Sequence, residues 1–476
     1  MKCDICVLGG GPAGASFARR LAQIGRQVIL VEKHPFPRPH IGESLPPSIL
    51  PLLKSLGLQA TVEGKGFLRP RRAIILWGGG ERRRQQDWEG EPGFQVDRGR
   101  FDQILLEAAR QAGAQIVQPA QLERPVRDAK SGWCIPIRQN GGRSEIQARF
   151  IADATGRRAL LGGGKIRFSA PTLALYAYWR QSGLSGPETR VEAGRSEWYW
   201  GAPLPDGSFN ATVLIDPQRI ESSASGSAQD RLECFYRQLL QSSSLLQGCL
   251  QGTRMGPVTA CDATSFYDSD PVGQDWIKLG EACLSIDPLS SQGVQAALRS
   301  GIQGAAVANT LVRHPEDGEA ALEFYRERQQ ETVQHHSTLS ARFYGEMALK
   351  SPDPFWQARA KAVEEAPKKV QVRAPKGIRR TFRPQEKLLL SAHAEIVQMA
   401  VMEHDWIVRR PALKHPALER PVAFLGGNDL APLLEGLTEA QAACRIIDRW
   451  SSRIPPRQAE QILNWLWERE IVAAAE

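Results

Sequence analysis

The chain has 476 residues, 42% hydrophobic and 24% charged, with a net charge of +8 and an isoelectric point near 9.1. It is too long for one ordinary core, so two or three domains are expected, and no run approaches the roughly 20 apolar residues that span a bilayer. Eight scattered cysteines do not make a disulfide framework, and the first residues pass straight into a strand with no cleavable leader, so a cytoplasmic protein is expected.

The opening stretch "CDICVLGGGPAGASFARRLAQIGRQVILVEK" predicts strand, glycine turn, helix, strand. Gly9, Gly11 and Gly14 have G-x-G-x-x-G spacing directly after an apolar run, with Pro12 and Ala13 starting the helix. Gly9 permits the tight turn, Gly11 lets the backbone approach a pyrophosphate, and Gly14 lets helix and strand pack closely. The helix N-terminus offers free N–H groups and a partial positive charge. Glu32, followed by Lys33, closes the second apolar run eighteen residues beyond Gly14, where a carboxylate can accept ribose hydroxyls. A dinucleotide site is therefore expected here. Cys3 and Cys6 form a C-x-x-C, but they lie on a buried strand without a second pair at ligand spacing. They read as small core hydrophobes, and no metal site is expected.

Further along, "HPFPRPHIGESLPPSILPLLKSLGL" predicts a proline-rich loop and a short helix, and "FQVDRGRFDQILLEAARQAGAQIV" a helix ending at Gly113 and then a strand. Between about 166 and 269, "TLALYAYWRQ", "SEWYWGAPLP" and "SFNATVLID" have the β-branched and aromatic runs of an antiparallel sheet. "WIKLGEACLSIDPLSSQGVQAALRSGIQGA" returns to strand, loop and helix, and residues 317–362 predict one or two amphipathic helices, with His335 and His336 in solvent. Residues 363–386 read as a basic linker. The last ninety residues read as a separate, mainly helical unit with a winged-helix-like pattern.

The expected architecture is α/β. A Rossmann-like dinucleotide domain (1–65, 95–165, 270–316) is interrupted by an antiparallel substrate domain (66–94, 166–269, 317–362), and a small C-terminal domain follows (387–476). Basic clusters around Arg69–Arg84 and Lys368–Lys387 favour an acidic partner. No recognition-helix pattern accompanies them, so nucleic acid is not expected.

Four separated motifs together resemble the FAD-dependent aromatic hydroxylases and flavin-dependent halogenases, over roughly residues 1–360. The first is the glycine turn with Glu32. The second, "RPHIGESL", is similar to the family's R-x-x-x-G-E-S loop through Arg38, Gly42, Glu43 and Ser44. The third, "VDRGRFDQILLEAA", resembles the segment in which an arginine, here Arg98, approaches the flavin. The fourth, "LGEACLSIDPLSSQGVQAAL", is similar to a G-D-A-x(4)-D-P-x(3)-G stretch around ribityl and isoalloxazine. It supplies Gly280, Asp287, Pro288, Gly293 and Val294, with Glu281 where Asp is usual. The resemblance implies FAD as cofactor and molecular oxygen as co-substrate. Reducing equivalents would come from NAD(P)H directly or through a separate flavin reductase; the lack of a second nucleotide fingerprint favours the reductase.

"EWYWGAP" is similar to the W-x-W-x-I-P signature of the halogenases, with Trp198, Trp200 and Pro203 matching and Ala202 replacing Ile. These residues, with Trp77, are expected at the substrate pocket. Halogenases also resemble G-F-x-x-K-x-G-x-x-F-x-W-G, whose lysine relays hypohalous acid. Here "GFLRPRRAIILWG", Gly66 to Gly78, puts Pro70 at the lysine position, and Lys65 could substitute only through a register shift. The resemblance then implies direct oxygen transfer from a flavin C4a-hydroperoxide to an electron-rich ring, with Asp287 and Glu43 as candidate catalytic groups. The C-terminal unit resembles modules that grip leader peptides. With the basic surface, it suggests an acidic polypeptide substrate, as in the flavoprotein monooxygenases that hydroxylate a protein tryptophan during tryptophylquinone biogenesis in quinohemoprotein amine dehydrogenase. The alternatives are a halogenase of a phenol, pyrrole or indole, and a flavin-dependent reductase of the geranylgeranyl reductase type.

Overall fold

A computed structural model describes residues 1–78, 83–85, 90–128, 132–184, 186–220, 227–361 and 382–475. The "ERRR" cluster and most of the expected basic linker, 363–386, lie outside the described side chains. The chain forms two compact units. One spans Met1–Gly318 and Tyr325–Val363; the other takes Glu319–Phe324 and Glu364–Glu476.

The first unit is built on a mixed sheet whose parallel strands run, in spatial order, Trp276–Lys278, Gly142–Asp153, Lys2–Leu8, Val28–Val31 and Gln115–Val117. The two inner strands read as continuous apolar runs, Ile5–Leu8 and Val28–Val31, because both sheet faces are covered. Cys3 and Cys6 are buried there as small hydrophobes, and all eight cysteines are free. Helices Pro12–Gln23 and Gly293–Arg313 pack closely on one face. A side chain at Gly301 would lie 2.1 Å from Ser16 Oγ and 2.5 Å from Ala13 O, so only glycine permits this approach.

A second sheet orders its strands Thr253–Asp262, Leu173–Arg180, Phe209–Ile215, Glu197–Pro203, Thr189–Ala193, Ala73–Leu76 and Arg83–Gln85. Alternation divides its faces. Leu175, Ala177, Trp179, Tyr199, Phe209, Ala211, Val213 and Ile215 form a core under helix Ala228–Ser242. The opposite face presents Tyr176, Tyr178, Trp198, Trp200, Asn210 and Thr212. The antiparallel runs expected from the sequence are thus present, and strand Ala73–Leu76 joins them in parallel beside Thr189–Glu192.

Residues expected as one or two helices form Gly318–Ala348 and Pro354–Arg359. His335 is exposed, but His336 is not in solvent as expected. It is buried, and burial beside His335 and Arg299 pushes its pKa down to about 4. Among the described residues no helix is long and apolar enough to cross a membrane.

The second unit has its own core, in which Leu388, Leu433, Ile446, Trp450, Ile462, Leu463 and Leu466 are buried. Helices Ala443–Ser451 and Pro456–Glu468 lie where the sequence indicates. A long hairpin, Glu395–Glu403 with Trp406–Lys414, and a small three-stranded sheet accompany them. The hairpin strands, EIVQMAVME and WIVRRPALK, carry adjacent apolar and adjacent polar residues rather than a strict two-residue alternation, so the sequence does not mark them.

Candidate functional site

The glycine turn has the shape its spacing predicts. Gly9 sits at φ +106°, and a side chain there would meet Ala154 O at 2.4 Å. One at Gly14 would meet Gly9 O at 2.0 Å. At Gly11 the space is open except for Arg38 at 3.8 Å, leaving a bare backbone cradle at an N-terminus that no side chain caps. Pro12 stands at the start of the helix, where its missing N–H costs nothing. Arg38 stacks over Phe36 at 4.9 Å, with Asp102 at 3.8 Å, yet its buried Nε has no partner. A cation with an unused donor beside a bare helix N-terminus fits the diphosphate of a dinucleotide. Glu32 is held by backbone donors, Gly10 N–H at 2.7 Å and His34 N–H at 2.9 Å, while Lys33 is exposed.

Gly280, at φ +55°, abuts this helix start; a side chain there would touch Ala13 Cβ at 2.9 Å. Its N–H donates to Ser300 Oγ at 2.9 Å. Glu281 is half exposed, accepts from Ser285 Oγ at 3.1 Å and lies 3.8 Å from Arg157. Asp287 caps the turn Pro288–Ser290 through Leu289 N–H at 2.9 Å. The long helix then opens at Gly293, where a side chain would point into empty space, and Val294 anchors it in the core. These residues would hold FAD, with the glycine turn and Gly280 meeting at the same helix start.

Arg98 is committed within the protein. Its guanidinium forks onto Asp102 at 3.0 and 3.1 Å and donates to Ile41 O at 2.7 Å. It therefore holds the loop that leads to Glu43, while Ser44 pairs with Gln95 in a short ladder. Glu43 is buried. Its Oε1 accepts from the Tyr178 hydroxyl at 2.8 Å and Asn210 Nδ2 at 3.0 Å, and its Oε2 from Gly42 N–H at 2.9 Å. Thr212 donates to Asn210 Oδ1 at 2.9 Å, which turns the amide's donor side toward Glu43. Burial raises the Glu43 pKa, and the three donors offset part of that rise.

Asp287, also buried and shifted upward by burial, accepts instead from the Tyr344 hydroxyl at 3.1 and 3.2 Å. The two candidate carboxyls thus stand in separate networks. Sequence reading missed Tyr178, Asn210 and Tyr344. A polar Asn inside "FNATVLI" was the one visible signal; nothing marks Tyr344 on its helix.

Trp198, expected to line a substrate pocket, packs instead at 1% exposure in a cluster with Trp77, Tyr344 and Trp356. Its ring is enclosed because helices Gly318–Ala348 and Pro354–Arg359 cover that end of the sheet. Trp200 is partly buried against the same cluster, and Pro203 ends the strand opposite Phe209.

The segment containing Pro70 is pinned on both sides. Leu68 and Gln95 exchange reciprocal backbone bonds at 3.1 and 2.8 Å, and Phe67 is buried 6.5 Å from Phe101. Arg69 stacks over Phe94 at 4.3 Å, and Ala73 pairs with Thr189. Lys65 is exposed in the turn before this segment. A register shift bringing Lys65 to the position of Pro70 would expel Phe67 from the core.

The FAD-binding-domain family model matches residues 2–163. The tryptophan 2-halogenase of Chondromyces crocatus is 31% identical over 379 residues, covering 76% of this chain and 71% of that protein. Among solved structures, the flavin-dependent halogenase CmlS superposes with a TM-score of 0.78 at 19% identity, covering 100% of this chain and 96% of its own. QhpG, described as a peptidyl tryptophan dihydroxylase essential for tryptophylquinone cofactor biogenesis, gives 0.73 at 24% identity, covering 98% and 99%. With the glycine turn, the Arg38 cradle and the Gly280–Gly293 loop in place, the chain belongs to the flavin-dependent halogenase-like family of FAD monooxygenases.

Proposed function

We propose that this enzyme transfers oxygen to an electron-rich aromatic ring, a tryptophan side chain of an acidic polypeptide in cofactor biogenesis, rather than installing a halogen. The observation that carries this reading is Pro70 in a pinned segment, with Lys65 held in a turn outside it. A proline has no amine to relay hypohalous acid. The full-length likeness to QhpG and the net positive charge support a polypeptide substrate. In this reading the first sheet and its helices form the cofactor domain, the second sheet the substrate domain and the last unit a peptide-gripping module, in the cytoplasm.

FAD, reduced by NAD(P)H or a partner reductase, supplies electrophilic oxygen from O2 when bound. The protein's own part is to orient the ring and remove its proton. Glu43 is the base: a buried carboxyl with a raised pKa, aimed by Tyr178 and Asn210, takes a ring proton more readily than a solvated one. Enclosure by the sheet face and the covering helices excludes water, which would otherwise divert the oxidant.

A halogenase remains the second reading, favoured by Trp198, Trp200 and the relationship to the tryptophan 2-halogenase. Product mass separates the two. Reduced FAD, oxygen, halide, free aromatics and a tryptophan-containing acidic polypeptide are supplied together. One or two added oxygens on the polypeptide, independent of halide, supports the proposal; replacement of hydrogen by halogen overturns it.

A further inference from the structure

Glu43 has no open way to touch a substrate ring. A carboxylate offers about four lone-pair positions. Both at Oε1 are filled, by the Tyr178 hydroxyl at 2.8 Å and Asn210 Nδ2 at 3.0 Å, and Oε2 accepts Gly42 N–H at 2.9 Å. The residue is 2% exposed, so the remaining position has no approach from outside the protein. A base so enclosed needs an intermediary.

Of its three donors only Tyr178 can also receive a proton. A backbone N–H and a side-chain amide nitrogen have none to exchange, whereas a phenol oxygen keeps lone pairs free while its own hydrogen is donated. On strand Leu173–Arg180, Ala177 and Trp179 point into the core, and Tyr178 between them stands on the opposite face. There it is half-buried, 6.0 Å from the ring of Tyr176, and so joins the enclosed carboxyl to accessible space. Burial and the neighbouring Glu43 charge push its hydroxyl pKa far above the usual value, which keeps it protonated until a second proton arrives. Asn210, fixed by Thr212, occupies the other side of Oε1 and leaves the phenol a single direction of donation.

We propose that Tyr178 is the group that meets the substrate ring and that Glu43 acts through it. The inference rests on the oxygen-transfer reading and on Glu43 as its base. Once oxygen has been added, the ring carbon still carries its hydrogen. That C–H bond breaks toward the Tyr178 oxygen, and its electron pair returns to the ring. In the same step the Tyr178 O–H bond breaks toward Glu43 Oε1, so the carboxyl ends neutral and the phenol is left as it began. Hydrogen bonds in a chain favour such a concerted shift, because each polarises the next. After product has left, Glu43 returns its proton to the Tyr178 oxygen while the phenol releases its own to water in the emptied site.

The test is single-turnover product formation by the FAD-loaded enzyme on a tryptophan-containing acidic polypeptide. Tyr178→Phe and Glu43→Gln should each slow it about 10²-fold at equal flavin occupancy. The double variant should be no slower than the slower single one, because both residues serve one proton. Losses that multiply, or a native rate in Tyr178→Phe beside a slow Glu43→Gln, overturn the relay alone. A native rate in Glu43→Gln overturns the base and the relay together, and a halogenated product overturns the oxygen-transfer reading beneath both. Isotopes separate a relay from a phenol that only holds the carboxyl in place. With the tryptophan ring deuterated, so that loss of the ring hydrogen governs the rate, the native enzyme should slow further in D2O, since the Tyr178 proton moves in that step. Abstraction by Glu43 itself moves no exchangeable hydrogen. Equal rates in H2O and D2O overturn the relay, and this measurement decides if Tyr178→Phe does not retain flavin.

Discussion

The glycine-lined loops and the polar face of the second sheet are built on opposite principles. Around Gly9–Gly14 and Gly280–Gly293 the site is made of backbone: bare amides, a helix start, and glycines of which Gly9 and Gly14 leave no room for a side chain. On the sheet face it is made of side chains delivered from distant segments, Glu43 from a loop, Tyr178 and Asn210 from two strands, Tyr344 from a helix. Backbone recognition is spelled out in contiguous residues and tolerates almost no substitution. Side-chain recognition is scattered along the chain, and each part can be exchanged with a graded loss.

The largest effect should break the backbone side of this contrast. Gly14→Val should abolish flavin retention, because even a Cβ there lies 2.0 Å from Gly9 O; absorbance of the purified protein reads it. Glu43→Gln should lower turnover by about 10²–10⁴-fold with flavin still bound, as loss of a general base does. With Glu43 present, activity should rise with pH through a midpoint above the ordinary carboxylate range, because only the deprotonated form accepts a proton. The folded pKa of Glu43 is raised, so its contribution to stability is full below the unfolded value and is lost as pH rises through the folded one. Glu43→Gln should flatten both profiles, which activity assays and thermal melts would reveal.

Asp102→Asn sharpens the comparison from the structural side. It leaves the Arg98 charge buried without its partner and should cost about 3 kcal/mol, measured by denaturant unfolding. Pro70→Lys should have the smallest effect on stability, about 0.5 kcal/mol by melting. Under the oxygen-transfer reading it is also the substitution that could let halide enter the product, which mass spectrometry with bromide would detect. No halogenated product is expected from the native chain.

The same contrast explains what the sequence disclosed. The turn, Glu32 and the Gly280–Gly293 loop were readable because neighbours in the chain are neighbours in the site. Glu43 was visible as part of a loop motif, but not its partners, since Tyr178 and Asn210 lie 135 and 167 positions away. Trp198 was read correctly as one of a pair of strand tryptophans; its enclosure by two later helices was not visible. His336 was assigned to solvent because its helix is polar on average, although its own face is buried.

Strand Gly142–Asp153 and strand Trp276–Lys278 are immediate neighbours, with Ile151 opposite Trp276 and Asp153 opposite Lys278. Nearly the whole second sheet is therefore a crossover between two adjacent parallel strands, whose facing residues lie about 5 Å apart. A segment entering and leaving through such a narrow doorway behaves as a cassette. Together with the Ala73–Leu76 strand, it could be exchanged for a relative's version at those two points while the flavin groove stays as it is. New substrates would then come by transplanting the crossover rather than by redesigning the machinery that holds the cofactor.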